Sequence, residues 1–557
     1  MLKKVQINFR VWSAFALCIS ITVILTFRMI YINLNESDFL LGKGIDQYGK
    51  FKELLPKRGK IYDRNGELLA ISAEAYSIFV RPSKFGRNPA KWRQLEKYLG
   101  QRPGYIKKRI SGPHDGDFIY LQPRLLAPNV VRNIMDLGLE GLGKEKTFQR
   151  FYPQRDSASH IIGFTNDDHT GQEGIELIFD SHLSGRTGKK KVFLDAKGRQ
   201  IASPELIVPM VEGKDLYLTI DYRAQFYSNK ILKESINYHN ADSGSIIIID
   251  SGTGEIITMV NAPSFNPNSR PSLVAQKVRN RAITDPHEPG STLKPFVIAA
   301  ALENSVLQPF TKINTSPGLL KVGSWQIGDG RDHGIITVEQ ILEKSSNVGA
   351  AKISDKLTEN GLLKILQEFG FGECTGAMLP GESTGKFPDS ERMSFLKKRS
   401  LSFGYGISVT TSQLARAYSV FANNGSILDL KISKQSINRS AIRVISEKTS
   451  SQILTMLRKA VKSGTGTRAN IANFKVAGKT GTVRKASKKG YSSEAHTVFF
   501  VGILPTNLTN YVCAIVIDKP RENGSTGGEV AAPIFSKLMK EIVRIFALKA
   551  LPSSQGI

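Results

Sequence analysis

Cysteine is scarce: the 557 residues hold three, Cys18, Cys374 and Cys513. An odd count at long spacing implies neither a disulfide framework nor a metal site. Cys18 lies in an apolar run and Cys513 in a predicted buried strand, so both read as packing thiols. Acidic residues are also short. Against 76 Lys and Arg stand 49 Asp and Glu, a net charge of +27 and a pI near 9.8. That excess points either to an anionic partner (nucleic acid, anionic lipid or an acidic polymer) or simply to solvated lysines. Zinc-finger spacing, a Walker loop and a basic-aromatic RNA signature are all missing, so no nucleic-acid partner is expected. Internal repeats and low-complexity tracts are missing too. What remains is 41% hydrophobic and 22% charged, an ordinary globular balance, with length for two or three domains.

The N-terminal apolar run follows Lys3, Lys4 and Arg10. It extends from Val11 to Phe27 and resumes after Arg28 as Met29-Ile30-Tyr31-Ile32. With Arg28 snorkelling to an interface, residues 11–32 are long enough to span a bilayer. Basic residues precede the run, and Glu36 and Asp38 follow it. The positive-inside rule then puts the tail 1–10 in the cytoplasm and the bulk of the chain outside. A cleaved signal peptide is the rival, but no small-x-small site follows the run. A lipoprotein signal meets Leu17 where a small residue should precede Cys18. An uncleaved anchor is expected, then a polar linker over 33–57.

Arg58-Gly59-Lys60-Ile61-Tyr62-Asp63-Arg64-Asn65-Gly66 opens the next region, and its Asn-Gly between apolar runs predicts a hairpin. Strands and helices mix to about residue 240, with short strands at Val192–Asp195 and Leu216–Ile220. No catalytic constellation is visible there. Its charges read as surface, and Lys189-Lys190-Lys191 as a solvated turn flank. From residue 241 the texture changes. Gly244–Asp250 and Glu255–Val260 predict two paired strands around Gly252-Thr253-Gly254. A mostly helical stretch over 300–470 follows, including Thr411–Asn423. Three strand-like runs come next, Val476–Thr482, Thr497–Ile503 and Tyr511–Ile517. In a last helix over 529–547, Ile534, Leu538, Ile542 and Phe546 form an apolar stripe. The expected class is α+β: an antiparallel five-stranded sheet covered by helices, with an all-helical subdomain, behind a mixed α/β region.

The stretch richest in chemistry is Glu288-Pro289-Gly290-Ser291-Thr292-Leu293-Lys294. Pro-Gly predicts a turn and the apolar run from Phe296 a buried helix. Ser291 then sits at a helix start, where unpaired N–H groups favour negative charge. Lys294 shares its face and can reach its hydroxyl, giving a serine with its own base. A second Ser-x-x-Lys, Ser394 to Lys397, lacks the Pro-Gly entry and reads as surface. Ser-x-Asn occurs at Ser345-Ser346-Asn347, and also at Ser264 and Ser436. Lys479-Thr480-Gly481 occurs once, on a strand-like run ending in Thr482. Singly, each has a bland reading: Ser291 as an N-cap, Ser345 and Asn347 as helix-start hydrogen bonders, Lys479 and Thr480 as a charged strand edge. Together and in this order, Ser-x-x-Lys, Ser-x-Asn and Lys-Thr-Gly are the known signature of β-lactamases and penicillin-binding proteins.

On these residues the chain resembles a class B penicillin-binding protein of the division type (FtsI-like). The likeness covers nearly the whole chain. The Arg58–Gly66 run, Gly174-Ile175-Glu176 and Asp195-x-x-Gly198 resemble marks of a non-catalytic pedestal of the dimerisation type, here 58–240. Lys344–Gly349, Phe403-Gly404-Tyr405-Gly406-Ile407 and Gln413–Arg416 resemble the division branch, in a penicillin-binding domain over 241–547 with a tail at 548–557. No glycosyltransferase domain fits between the anchor and residue 58. The resemblance implies a serine β-lactamase-like fold and a peptidoglycan D,D-transpeptidase without metal or cofactor. It implies Ser291 as nucleophile and Lys294 as base, made neutral with help from Lys479. Ser345 would shuttle the proton, and Asn347 would hold Lys294 and the substrate amide. Lys479, Thr480, Gly481 and Thr482 would receive the substrate's terminal carboxylate. The N–H groups of Ser291 and Thr482 would form an oxyanion hole. Implied partners are stem peptides ending in D-Ala-D-Ala, an amine acceptor, β-lactams, an FtsW-type membrane glycosyltransferase and other division proteins, at the bacterial inner membrane. An elongation-type transpeptidase, a D,D-carboxypeptidase and a non-catalytic scaffold stand as alternatives.

Overall fold

The computed structural model describes residues 2–37, 39, 43, 49–112, 118–121, 125–193, 203–322, 325–389, 393–436, 440–487, 490–506 and 509–550. Asp38, Asp195 and Gly198 lie outside them. The chain divides into two compact units, one of Met1–Lys57 with Gly185–Gly213, the other of Arg58–Ser184 with Lys214–Ile557.

In the first unit, helix α1 (Leu2–Tyr31) runs on into a π-helical turn, Ile32–Glu36. The stretch Phe9–Glu36 is long and apolar enough to cross a membrane. Its hydroxyls find partners inside the helix: Ser13, Thr22 and Thr26 each donate to the carbonyl four residues back at 2.8 Å. That satisfies them without water. Arg28 pairs with Glu36 at 3.3 Å and lies 5.3 Å over the Tyr31 ring. The expected linker contains a strand, Gly49–Leu54, in an antiparallel sheet with Gly188–Phe193 and Glu205–Val208. Lys189-Lys190-Lys191 therefore sits in the central strand, not on a turn flank. Its charge is offset locally, since Glu53 opposes Lys189 and Lys191 lies 5.7 Å from the Phe51 ring.

In the second unit the predicted hairpin forms, Ile61–Tyr62 pairing with Leu68–Val80. Asp63 fastens its turn by accepting from the N–H groups of Asn65 (2.7 Å) and Glu67 (2.8 Å). Leu68–Val80 also pairs with Leu142–Phe151. Charges here are not all surface. Arg58 and Arg150 each place Nε 2.6 Å from a carboxylate oxygen of Glu176, which is fully buried. Arg58 also donates to Asp180 (2.7 Å), and Arg150 to the Gly59 carbonyl (2.7 Å). Charge periodicity along the sequence could not reveal this cluster, because its members lie up to 122 residues apart.

Helix α2 (Tyr222–Tyr238) precedes strands β1 (Ser243–Asp250) and β2 (Ile256–Ala262). Helices α3 (Lys294–Glu303), α4 (Val338–Lys344), α5 (Asn347–Ser354), α6 (Thr411–Ala422) and α7 (Glu447–Lys462) follow. Then come β3 (Ala477–Ser487), β4 (Gly490–Pro505), β5 (Asn510–Asp518) and α8 (Ala531–Ile545). The five strands form one antiparallel sheet in the order β2-β1-β5-β4-β3. Both faces are covered, which is why β1 reads apolar throughout rather than alternating. Ile246 and Ile248 face a core shared with α2 and α8, whereas Ile247 and Ile249 face one shared with α3 and α6. Ile534, Leu538 and Ile542 are buried in the first core, the stripe expected for α8. Ala224, Ile231 and Leu232 of α2 lie there too. This helix thus packs on the sheet rather than with the pedestal that the sequence reading placed it in. The stretch between β2 and β3 is dominated by helices but is not all-helical. Among the described residues it carries three short ribbons, Lys312–Asn314 with Ile335–Thr337, Leu319–Val322 with Trp325–Gly328, and Ser426–Ile427 with Ile442–Arg443.

Candidate active site

Ser291 lies in a single 3-10 turn, Gly290–Leu293, and α3 begins at Lys294 with Pro295 in its first turn. The turn is fastened from several sides. Thr292 donates its hydroxyl to the Pro289 carbonyl, and the Tyr418 hydroxyl donates to the Thr292 carbonyl, both at 2.7 Å. Gly404 accepts from Gly290 N–H at 3.2 Å. A Cβ on Gly404 would lie 2.1 Å from the Gly290 carbonyl oxygen, and φ there is +89°. Only glycine allows both the conformation and the approach. The same holds sterically for Gly481, whose added Cβ would lie 2.9 Å from Thr292 Cγ2 and 3.0 Å from the Pro289 oxygen. The Phe403–Ile407 run and the Lys-Thr-Gly strand thus clasp the serine turn from two directions.

Lys294 is fully buried and donates to the carbonyl and hydroxyl oxygens of Ser345 and, at 2.7 Å, to Asn347 Oδ1. Among the described residues it makes no hydrogen bond to Ser291. In place of the expected serine–lysine contact, Lys294 bonds to the Ser345-Ser346-Asn347 motif. Lys479, also fully buried, donates to the Ser345 hydroxyl at 2.8 Å. One hydroxyl therefore meets the Nζ of both lysines. Ser345 caps α4 with left-handed backbone, φ +62° and ψ +37°. A serine held there is strained, a feature that clusters at functional sites. The chain turns straight into α5, whose first residue is Asn347. Burial pushes the Lys294 amine well below a lysine's ordinary 10.5, and the Lys479 charge pushes it further down. Burial lowers Lys479 to about 7.

Ser291, Ser345, Thr480 and Thr482 line one open cavity of about 420 Å³. The three sequence motifs, spread from 288 to 482, therefore converge on one cleft. Residues 244–540 match the model of the penicillin binding protein transpeptidase domain, and residues 53–218 that of the penicillin-binding protein dimerisation domain. The chain belongs to the penicillin-binding transpeptidase family. It is 33% identical to a probable peptidoglycan D,D-transpeptidase, PbpC, of Pseudomonas aeruginosa, over 97% of this chain and 96% of that one. To the peptidoglycan D,D-transpeptidase FtsI of Escherichia coli K12 it is 32% identical, over 96% and 92%. Penicillin binding protein 3 of Mycobacterium tuberculosis, solved with aztreonam, superposes with a TM-score of 0.69 at 25% identity, over 90% of this chain and 98% of that one.

The transpeptidase cleft also contains residues that sequence reasoning did not single out. Asp329 accepts from the backbone N–H of Asn347 and, at 2.9 Å, of Val348, and from the Ser346 hydroxyl. It caps α5 from the ribbon Leu319–Val322/Trp325–Gly328, and its charge partly opposes the lowering of Lys294. Thr465 bonds hydroxyl to hydroxyl with Thr480 at 2.7 Å, and Arg468 and Glu529 line the same cavity. No spacing rule finds any of these, since each reaches the cleft by tertiary folding. Ser394, start of the second Ser-x-x-Lys, caps a helix, accepting from Lys397 N–H at 3.3 Å. Its neighbour Lys398 is buried rather than surface, donating to the Leu357 carbonyl.

Proposed function

We propose that this chain is a serine D,D-transpeptidase that cross-links peptidoglycan stem peptides at the division septum, with Ser291 as nucleophile. The observation that carries the reading is the buried Lys294, depressed in pKa and sharing Ser345 with Lys479 in the cleft that Ser291 lines. A neutral amine there takes the Ser291 proton as the hydroxyl attacks the carbonyl between two D-alanines. Ser345 relays that proton to the departing D-alanine, and Asn347 holds Lys294 and then the substrate amide. Its Nδ2 donates to the Gly328 carbonyl at 2.9 Å, a bond that substrate would displace or share. Lys479, Thr480, Gly481 and Thr482 receive the terminal carboxylate. The N–H groups of Ser291 and Thr482 stabilise the oxyanion, a term of about 3 kcal/mol per donor. An amine of a neighbouring stem then resolves the acyl-enzyme. β-Lactams mimic the donor terminus and stop at the acyl-enzyme.

Around that chemistry we assign 11–32 as a single-pass anchor with the N-terminus cytoplasmic, a pedestal that starts at residue 58, and a catalytic domain that takes in α2 together with 241–547. An FtsW-type glycosyltransferase and other division proteins are the assigned partners. The test is mass spectrometry of the protein after penicillin treatment. The adduct is expected on Ser291, and Ser291→Ala should take up no label. An adduct elsewhere, or undiminished labelling of the variant, overturns the reading.

A further inference from the structure

The catalytic cluster leaves most of the chain's excess positive charge unused. From Lys448 to Ser493 the sequence has no Asp or Glu, against eleven Lys and Arg. Two of the eleven belong to the cleft already described, Lys479 beside Ser345 and Arg468 on its lining. Four others meet at a second cavity of about 430 Å³, formed by the end of α7, the loop 470–475 and Val476 just before β3. Arg458, Lys459 and Lys462 reach it from α7, and Lys475 from the loop. Among the described residues no acidic side chain lines it. Arg458 and Lys462 stand four apart on one helix face, a spacing at which like charges repel. Lys459 is answered by Glu339 of α4 at 2.7 Å. Lys462 and Lys475 make no hydrogen bond and no ion pair among the described residues. Arg458 is half-buried, and burial lowers its pKa.

The cavity is built on fixed elements. Val476 is buried in the core shared with α2 and α8, and Phe474 packs against that core. The Asn470 carbonyl accepts from the Ser536 hydroxyl of α8 at 3.1 Å. One stretch of chain joins the cavity to the cleft. Val476 lines the first and Thr480 the second, four residues apart, about 13 Å of extended strand. On the other side the 3-10 turn Thr467–Ala469 divides them: Thr467 and Arg468 line the cleft, and Asn470 lines the cavity. A ligand longer than one stem peptide can therefore touch both. The polymer of the proposed reaction is such a ligand. Its glycan strand carries many stems, and each stem not yet cross-linked ends in a carboxylate. The cleft takes one of them. A guanidinium and two ammonium groups without an opposing acid suit another, the guanidinium as a two-pronged partner and the lysines as point charges.

We infer that Arg458, Lys462 and Lys475 form an exosite for the carboxylate of a second stem peptide, borne on the same glycan strand as the stem in the cleft. The inference rests on the transpeptidase reading and adds a second point of contact to it. No bond is made or broken at the exosite. It raises the local concentration of strand at Ser291, so strands with several free stems are favoured over isolated fragments. Its attraction is electrostatic and weakens as salt is added.

The full-length protein in detergent tests this with two soluble ligands, glycan strands bearing several uncross-linked stems and the single disaccharide peptide. Binding is read in the Ser291→Ala background, where no turnover consumes the ligand. Penicillin labelling with Ser291 present reports folding and an intact cleft. At low salt the strands should bind on the order of 100-fold more tightly than the fragment, the gain of a second tethered contact. Lys462→Glu combined with Lys475→Glu should bring that ratio close to one and leave the penicillin acylation rate unchanged. Lys462→Gln with Lys475→Gln should remove part of the ratio, and this pair carries the test if the charge-reversed protein takes up no label. Converting the strand carboxylates to amides should act like the charge reversal. A ratio near one in the protein with both lysines overturns the inference. So does a ratio that survives the lysine substitutions, or full binding of amidated strands. Inorganic phosphate and short-chain phosphatidylglycerol are the competing anions. If either binds in a manner that needs Lys462 and Lys475 while strand binding does not, the cavity reads phosphate and the inference falls. If penicillin leaves no acyl group on Ser291, the transpeptidase reading itself falls, an outcome distinct from labelling without strand preference.

Discussion

At the residue scale the decisive feature is two buried lysines that share the Ser345 hydroxyl. Burial disfavours the charged form of each, and Lys479 adds repulsion at Lys294. The sequence reading named Lys479 as a help in lowering Lys294, and burial is the larger cause. The sign of the pH effect follows. The base is competent when neutral, so acidification removes it. The second-order rate of acylation by penicillin should fall as pH drops through the lowered Lys294 value, by about tenfold per unit at the steep limit. A stopped-flow or gel-label profile from mildly acidic to alkaline pH checks this, and a flat profile counts against Lys294 as base. Stability follows the same direction. In the window from about 7 to 10.5 the unfolded chain binds a proton at Lys479 that the folded chain does not, so folding gains as pH rises through it. Gly404 supplies a second test at this scale. Gly404→Ala puts a Cβ against the Gly290 carbonyl at a left-handed position. Displacing the serine turn by about 1 Å should slow acylation on the order of 100-fold. Unchanged labelling kinetics would mean the turn is positioned without it.

At the element scale, the buried Arg58–Glu176–Arg150 cluster joins the start of the pedestal, the strand ending at Phe151 and the short helix Gly174–Ile178. Glu176→Ala would leave two guanidinium groups buried without their shared carboxylate. Removing one partner of such a cluster costs about 3–5 kcal/mol. Denaturant unfolding of the detergent-solubilised protein should show that loss as an earlier transition, while wild-type unfolding of the variant would show the cluster to be energetically neutral. The elements themselves were readable to different degrees. The Asn-Gly hairpin, the five strands and the stripe of α8 followed from local pattern, because turn chemistry and periodicity are encoded in neighbours. The strand Gly49–Leu54 did not, because Lys50, Lys52 and Glu53 break apolar alternation and its partners lie far along the chain. The short ribbons between β2 and β3 were missed because their strands have only two to four residues, too few for an alternation to register.

At the scale of the whole molecule, α1 is oriented by charge in the proposed topology, with Lys3, Lys4 and Arg10 on the cytoplasmic side. Protease added to intact spheroplasts should therefore digest the region from Arg58 onward and spare a tag at the N-terminus. The reverse pattern would invert the topology.

The order of Ser291, Lys294, Ser345, Asn347 and Lys479 along the chain was enough to name the family and the chemistry, since each motif is local and its residue types admit few other combined uses. Folding alone decided that Ser345 receives both lysines, that Asp329 caps the helix beginning at Asn347, and that Gly404 and Gly481 clasp the serine turn. The side of the cleft lined by Arg468 and Glu529 is the furthest from sequence. Arg468 and Glu529 look like ordinary surface charges in their own segments. They meet across one cavity only because β3 holds Thr465 on one side through Thr480 and Gly527 on the other through Thr482. Such proximity between distant segments is set by packing, and no local pattern encodes it.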